Sequence, residues 1–389
     1  MDCKKYFYLF LTIFCFPLTF LSCKSTETAP FTNFNYKILD EQVPVSYLGK
    51  GTFTMAVIPD IQNYTCYKCQ KEYNSKLPIS FREILDRQMD FVVDNSKAKG
   101  GGIEFAVFLG DFVSKRNEHP EEWFYADNAI SKLDSIMPFS VVIGNHDYDQ
   151  WVREKRGEIW QVKGTKFYNK YFGPNSKHFA GKKWYGGASE NGLNSYMFFE
   201  AAGHKFLILG LEFEPSDQAI EWAQSVIDSY PDLPCIVPVY GFLSAIKIKD
   251  SGNNHFVWIK QHYENEGNTG GSVYNKLIRP NKSIFLVLCG HTFEGPVGEG
   301  MRVDINDAGY KVYSILSNYQ GRADICKVYD IDPAEECGDG FLRLMTFDFN
   351  RKICHIQTYS TEFKTFEIDA DSDFFIDLDW EGRFSGNLK

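Results

Sequence analysis

Side chains that can bind a divalent metal follow four apolar runs of the chain. In chain order they are Asp60 with Gln62, Asp111, Asn145 with His146, and His291. A glycine stands directly before Asp111, Asn145 and His291, which removes a side chain where the backbone would have to approach a ligand closely. Carboxylate and amide oxygens, together with imidazole nitrogens, hold hard or borderline divalent cations. The pattern therefore predicts a metal site assembled from distant parts of the chain.

The apolar runs before these side chains have the length and composition of buried strands. Predicted strands cover 53–58, 105–109, 140–143, 205–211, 235–240 and 284–289, and predicted helices cover 81–96, 121–136 and 216–230. Strands that alternate with helices indicate βαβ units, and polar groups after successive strands meet in the crevice at their carboxyl ends. Three later strands, at 311–316, 341–348 and 353–359, have little helix between them. This mixture predicts an α/β sandwich of two sheets flanked by helices.

The order of the four clusters is similar to that of the calcineurin-like metallophosphoesterases. The first cluster, Pro-Asp-Ile-Gln at 59–62, resembles an exported bacterial branch with Asp-x-Gln in place of Asp-x-His. The most specific cluster is Gly-Asn-His-Asp at 144–147. The similarity spans residues 53–380, nearly the whole mature chain. It implies a four-layer α/β/β/α sandwich and the metal-dependent hydrolysis of a phosphoester substrate.

The resemblance also implies a role for each side chain. The implied metal ligands are Asp60, Gln62, Asp111, Asn145 and His291, with Asp111 shared between two sites. His146 would not bind metal but would face the phosphate, where it stabilises the transition state or protonates the leaving oxygen. One or two divalent ions (Mn, Mg, Fe or Zn) would clamp the phosphate and supply a metal-bound hydroxide for in-line attack.

Two positions depart from the family pattern. Tyr240 stands where the family has a histidine at a strand end, and Phe293 replaces the second histidine of Gly-His-x-His. Phenylalanine cannot coordinate a metal, and a phenol that ionises near pH 10 is a poor ligand. Two hypotheses follow: a hydrolase with a reduced ligand set, and a binding lipoprotein on a catalytically impaired scaffold. His255 is either a substitute ligand or a solvated loop residue.

The N-terminus has the pattern of a bacterial export signal. Lys4 and Lys5 precede an apolar run at 6–21, and Cys23 follows in a context that resembles a lipobox. We expect a signal peptide over 1–22, a lipidated Cys23 with a tether over 23–50, and the phosphoesterase domain over 51–389. An ordinary signal peptide with an incidental cysteine and a retained transmembrane helix are the alternatives. The first interpretation predicts an exported lipoprotein, anchored to a membrane in the periplasm or at the cell surface.

The chain is acidic, with a formal net charge of −10. Nucleic-acid binding requires basic patches that neutralise phosphates, so no nucleic-acid partner is expected. A small phosphate substrate stays compatible with this charge, because a bound cation can hold it. The sequence leaves the oligomeric state open.

Cysteines form two notable pairs. Cys326 and Cys337 flank a loop and are the predicted disulfide, which an exported protein permits. Cys66 and Cys69 form a Cys-x-x-Cys just after the first metal-binding cluster. A zinc site would need a second pair of ligands, and none is obvious, so a local disulfide or two plain thiols is predicted there.

Overall fold

The computed structural model describes residues 41–115, 118–152, 161–257, 267–331 and 337–384. The predicted signal peptide and most of the predicted tether lie outside these residues, so their boundaries stay predictions. Within the described ranges, no helix has the length and apolar character needed to cross a bilayer.

Eighteen strands run through the described residues. They are β1 Thr52–Ile58, β2 Ile103–Phe108, β3 Phe139–Val141, β4 Gln150–Val152, β5 Gln161–Lys163, β6 Tyr185–Ala188, β7 Ser195–Ala201, β8 His204–Gly210, β9 Cys235–Pro238, β10 Leu243–Lys247, β11 Asn254–Phe256, β12 Ile284–Cys289, β13 Glu299–Ile305, β14 Lys311–Ser317, β15 Phe341–Asp348, β16 Ile353–Ser360, β17 Thr365–Phe366 and β18 Asp373–Asp377. All nine strands predicted from apolar runs are present, with shifts of one or two residues at several ends.

The helices are fewer and mostly short. They are α1 Gln62–Thr65, α2 Arg82–Asp94, α3 Pro120–Ser131, α4 Lys166–Phe172, α5 Asp217–Ser229, α6 Gly270–Val273, α7 Asp324–Val328 and α8 Glu381–Phe384. Single 3-10 turns cover Tyr67–Cys69, Lys97–Lys99 and Asn145–Asp147, and α6 continues into a π turn over Tyr274–Ile278. Helix α5 begins where the Ser216 hydroxyl accepts a hydrogen bond from the Ala219 amide, an N-cap that satisfies an otherwise unpaired donor.

Two seven-stranded sheets form the centre of the molecule. The first has the order β17-β16-β15-β1-β2-β3, with β18 also paired to β16, and the second has the order β13-β14-β12-β9-β8-β7-β6. Strands β1, β2 and β3 are parallel, as are β8, β9, β12 and β14. Each sheet therefore presents a set of parallel carboxyl ends.

The sheets pack face to face with helices outside them. Along β1, Met55 and Val57 pack into the cluster between the sheets, whereas Ala56 and Ile58 pack into the cluster under α2 and α3. This alternation follows from the two-residue period of a strand. A third cluster fills the space between the second sheet and α5. The arrangement confirms the predicted four-layer α/β/β/α sandwich.

Residues just before β1 also contact the domain. The buried Val45 accepts a hydrogen bond from the Gly102 amide at 2.7 Å and donates its own amide to Asn95 Oδ1 at 2.6 Å. Gln42 donates its side-chain amide to the Thr361 carbonyl at 2.8 Å. The described end of the predicted tether thus lies against the sandwich.

Candidate metal and active site

The predicted site residues meet where parallel strands of both sheets end. Asp60 follows β1, Asp111 follows β2, Asn145 and His146 follow β3, Gln62 begins α1, and His291 follows β12 of the other sheet. The carboxyl ends of parallel strands lie at one edge of a sheet, and the two facing edges bring residues together that are far apart in the sequence.

Asp60 connects the two sheets through hydrogen bonds. The backbone amide of His291 donates to its carboxylate oxygens at 3.2 and 3.3 Å, and the Tyr240 hydroxyl donates to Oδ1 at 2.8 Å. Burial raises the pKa of Tyr240 well above its ordinary value, and the carboxylates of Asp111 and Asp60 raise it further. The phenol therefore stays protonated, and in this structure Tyr240 is a donor to Asp60 rather than a phenolate ligand.

Asp111 occupies the middle of the polar cluster. Its Oδ1 accepts the His146 backbone amide at 2.9 Å, and its Oδ2 accepts Gln62 Nε2 at 3.1 Å. The same Gln62 nitrogen donates to Gln320 Oε1 at 2.6 Å. Both contacts fix the orientation of the Gln62 amide, so its oxygen is left as the atom that can bind something else.

Two buried amide oxygens of the site accept no hydrogen bond from any described residue. They are Gln62 Oε1 and Asn145 Oδ1. A buried polar atom without a partner costs about 1–3 kcal/mol, so such atoms indicate a ligand at a functional site. Hard divalent cations prefer oxygen ligands of this type. The donor set of Asp60, Asp111 and these two oxygens therefore fits a divalent cation.

The site contains fewer charged ligands than a conventional metal centre. Across the described ranges, no three His, Cys, Asp or Glu side chains form a group that can hold a metal ion. An ion at this site consequently requires the neutral oxygens of Gln62 and Asn145 in addition to the carboxylates.

Buried negative charge accumulates around this position. Burial raises the pKa of Asp60 well above its ordinary value, and the neighbouring Asp111 carboxylate raises it further. The same two causes raise the pKa of Asp147, whose oxygens clamp the neighbouring turns by accepting the amides of Phe112 at 2.6 Å and Gly144 at 2.9 Å. Opposite charge nearby favours the ionised carboxylate, so a cation would relieve this repulsion.

Backbone conformation at the site is unusual. Asp60, Asp111 and His291 have φ values of 42°, 53° and 77°, a region that costs non-glycine residues energy and is enriched at functional sites. Two glycines permit the close approach of the carboxylates. A Cβ on Gly144 would lie 2.1 Å from Asp111 Oδ1, and one on Gly290 would lie 2.4 Å from Asp60 Oδ2.

His146 is held by its neighbours in one tautomer. Its Nδ1 lies 3.0 Å from the Ser114 carbonyl oxygen, and since a carbonyl only accepts, Nδ1 carries the hydrogen. The Trp151 ring packs against the imidazole in an edge-to-face arrangement, with centroids 5.1 Å apart. Ser114 is fixed in turn by Glu122, which accepts its amide at 2.8 Å. The remaining ring nitrogen, Nε2, is the atom available for proton transfer.

Sequence reasoning gave no role to two residues that complete the site. Asn318 donates its side-chain amide to the His291 carbonyl at 3.0 Å and accepts the Gln320 amide at 2.8 Å, while Gln320 holds Gln62 as described above. Both follow strand β14. Their position directly after an apolar strand is the same signal that identified the other four clusters.

A buried ion cluster supports the segment that carries Asn318 and Gln320. Glu299 accepts hydrogen bonds from Arg322 Nη2 and Arg343 Nη2, each at 2.8 Å, and Arg322 also pairs with Glu367. Breaking one member of such a buried network leaves an uncompensated charge. The cluster therefore fixes the β14 end of the site.

Phe293 and Tyr240, which depart from the family pattern, and His255, the possible substitute ligand, have distinct environments. Phe293 is half-buried, and its ring lies against Gly321, where an added Cβ would be 2.9 Å from Phe293 Cδ2. His255 lies in β11 and is exposed. Tyr240 hydrogen-bonds Asp60, as described above.

The chain is similar to a protein family, to a bacterial protein and to a solved phosphatase structure. A family model for calcineurin-like phosphoesterases matches residues 54–295. The chain is 27% identical over 327 residues to an uncharacterized protein, YvnB, of Bacillus subtilis strain 168, which covers 83% of this chain and 21% of that protein. The chain thus spans about a fifth of the length of this relative. It is also similar to a dimetal phosphatase from Danio rerio, with a TM-score of 0.45 and 13% identity over 86% of this chain and 100% of the other.

The family match covers both halves of the site. It begins in β1, includes every predicted ligand from Asp60 to His291, and ends just after β12. Since it extends over more than half of the sequence, the protein belongs to the calcineurin-like phosphoesterase family.

Proposed function

We propose that this protein is an exported lipoprotein that hydrolyses phosphoesters with the help of a divalent metal. The observation that carries the proposal is the pair of buried amide oxygens, Gln62 Oε1 and Asn145 Oδ1, left without partners beside the carboxylates of Asp60 and Asp111. Family membership supports the same reaction class.

Five residues would hold the cation: Asp60, Gln62, Asp111, Asn145 and His291. A bound Mn²⁺, Mg²⁺, Fe²⁺ or Zn²⁺ supplies Lewis acidity toward a phosphoryl oxygen and lowers the pKa of bound water. The neutral amides favour oxygen-preferring ions such as Mg²⁺ and Mn²⁺. Because Tyr240 and Phe293 replace two histidines, one ion is the expected number at low metal concentration.

His146 would act on the leaving group. The Ser114 carbonyl holds the hydrogen on Nδ1, so a protonated ring presents the Nε2 hydrogen for transfer to the departing oxygen. Trp151 limits the rotation of the ring through its edge-on contact. The backbone amide of His146 donates to Asp111, which keeps the histidine next to the candidate ligands. These contacts orient a general acid.

The export part of the proposal depends on the sequence of residues 1–50. The basic start, the apolar run and Cys23 support a signal peptide with a lipid anchor. Such an anchor would keep the enzyme at a membrane, in the periplasm or at the cell surface.

A second candidate function is supported by Tyr240. Its hydroxyl donates to Asp60 Oδ1 and thereby already compensates part of the charge that a second ion would neutralise. The chain would then be a phosphoesterase-like binding lipoprotein with impaired catalysis.

Hydrolysis of a generic aryl phosphodiester by the mature domain separates the two candidates. Activity that requires added Mn²⁺ and disappears with a chelator supports the enzyme. A folded domain that shows no hydrolysis with any of the four metals supports the binding protein.

A further inference from the structure

Cys66 and Cys69 lie together in one tight turn after α1. Cys66 immediately precedes the 3-10 turn Tyr67–Cys69, and the Cys69 amide donates to the Cys66 carbonyl at 3.0 Å. This hydrogen bond closes a turn in which the Cα atoms of the first and fourth residues lie within about 7 Å of each other, so the two cysteines are close neighbours.

The two thiols differ in their access to solvent. Cys66 is partly exposed, whereas Cys69 is buried, with 5% of its surface accessible. The Cys69 carbonyl accepts the Phe81 amide at 2.9 Å, so the second cysteine is fixed against the start of α2. An incoming reagent therefore has better access to Cys66 than to Cys69.

The remaining described cysteines are in other environments. Cys326 and Cys337 form a disulfide, which confirms the predicted pair. Cys235, Cys289 and Cys354 are fully buried in the core, where thiols are inert. Among the described cysteines outside the Cys326–Cys337 disulfide, only Cys66 is partly exposed, and Cys69 lies in the same turn.

We propose that Cys66 and Cys69 constitute a thiol–disulfide exchange site for low-molecular-weight disulfides. The Cys66 sulfur attacks one sulfur of the disulfide, a mixed disulfide forms, and one thiol leaves. The Cys69 sulfur then attacks the Cys66 sulfur, which releases the second thiol and closes an intramolecular disulfide. The protein dithiol loses two electrons and two protons, and the small disulfide gains both.

The structure supports both steps of this exchange. Nucleophilic attack requires the accessible sulfur of Cys66, and ring closure requires the neighbouring sulfur of Cys69. Disulfides form between residues whose Cα atoms are about 4.4–6.8 Å apart, and an i,i+3 hydrogen bond holds Cys66 and Cys69 close. The proposal is independent of phosphoester hydrolysis, because it uses none of the candidate metal ligands.

Matched serine variants test the order of the two steps. The mature domain, Cys69→Ser and Cys66→Ser are each incubated with glutathione disulfide, and the adducts are located by peptide mass mapping. We expect Cys69→Ser to accumulate a mixed disulfide on Cys66, because the resolving thiol is absent. Cys66→Ser should form an adduct on Cys69 at least about tenfold more slowly, since burial suppresses thiol reactivity.

The unmodified domain provides a second measurement that needs no variant. Glutathione disulfide should convert it to a form with a Cys66–Cys69 disulfide, and dithiothreitol should restore both thiols. Alkylation of the reduced domain should modify Cys66 before Cys69. Two thiols that stay alkylatable after oxidation would overturn the proposal, as would equal adduct rates in two variants that unfold at the same temperature as the unmodified domain.

Discussion

Replacement of Tyr240 by phenylalanine should measure how much the tyrosine hydroxyl stabilises the buried carboxylate of Asp60. The mutation deletes one buried hydroxyl that donates to Asp60 Oδ1 at 2.8 Å and leaves the carboxylate with the longer contacts from the His291 amide. A hydrogen bond to a charged group contributes about 1.5–3 kcal/mol. We expect Tyr240→Phe to lower the free energy of unfolding by that amount in metal-free, mildly alkaline buffer, as measured by urea denaturation.

Tyr274→Phe is the matched control for this experiment. Its hydroxyl donates to the neutral Ile305 carbonyl at 3.0 Å, so its removal should cost only about 0.5–1.5 kcal/mol. Saturating Mn²⁺ should reduce the difference in unfolding free energy between Tyr240→Phe and the unmodified domain, because the cation then compensates the negative charge of Asp60. The reasoning is refuted if Tyr240→Phe lowers the free energy of unfolding no more than Tyr274→Phe does. It is also refuted if Mn²⁺ leaves the difference between Tyr240→Phe and the unmodified domain unchanged.

Three further substitutions test other parts of the account. Gln62→Glu replaces two hydrogen bonds, at 3.1 and 2.6 Å, with repulsion from Asp111. The free energy of unfolding of the metal-free domain should therefore fall by about 1–3 kcal/mol, while Mn²⁺ should stabilise the variant more than the unmodified domain. Equal stabilisation of both by Mn²⁺ in thermal unfolding would contradict the assignment. His146→Gln should lower kcat by about 10²–10⁴-fold without weakening Mn²⁺ binding in calorimetry, and lost Mn²⁺ binding would instead identify His146 as a ligand. Burial would lower the pKa of His178, but hydrogen bonds to two carboxylates raise it overall. The stability that His178→Gln removes should therefore be fully present below the unfolded pKa of about 6.5 and lost as pH rises through the folded pKa. A difference in unfolding free energy between variant and unmodified domain that grows with pH would contradict this.

Much of the fold followed from local sequence patterns. The run 284–289 predicted a strand whose bounds match the structure, because a parallel strand that is buried on both faces is apolar throughout. Weaker elements had no such signal. Strand β13, Glu299–Ile305, contains a glutamate, an arginine and an aspartate, and only its pairing with β14 establishes it as a strand.

The site was predictable at the level of residue types but not of contacts. The candidate ligands follow apolar strands, and this pattern predicted that Asp60 and His291 meet at strand ends, where the His291 amide donates to Asp60. The bond between Tyr240 and Asp60 joins residues 180 positions apart on different sheets, so no local pattern contains it. The role of Gln320 likewise depends on its distance from Gln62, which only the packing of the two sheets determines.

The buried carboxylates of the site affect the stability of the domain. Buried carboxylates with raised pKa values hold protons that the unfolded chain has released, so they lower the free energy of unfolding at neutral pH. Binding of a cation to the folded form alone stabilises it by mass action. The same residues therefore connect the stability of the domain to its proposed chemistry.

Metal content and hydrolysis of the purified mature domain, measured beside Asp111→Asn, test the central claim most directly. Asp111 contacts both the Gln62 side chain and the His146 amide, and asparagine keeps its shape while removing its charge. We predict that the unmodified domain binds Mn²⁺ and hydrolyses an aryl phosphodiester, and that Asp111→Asn stays folded but loses both properties. A folded domain that binds no metal and hydrolyses nothing, or full activity in Asp111→Asn, would contradict the account.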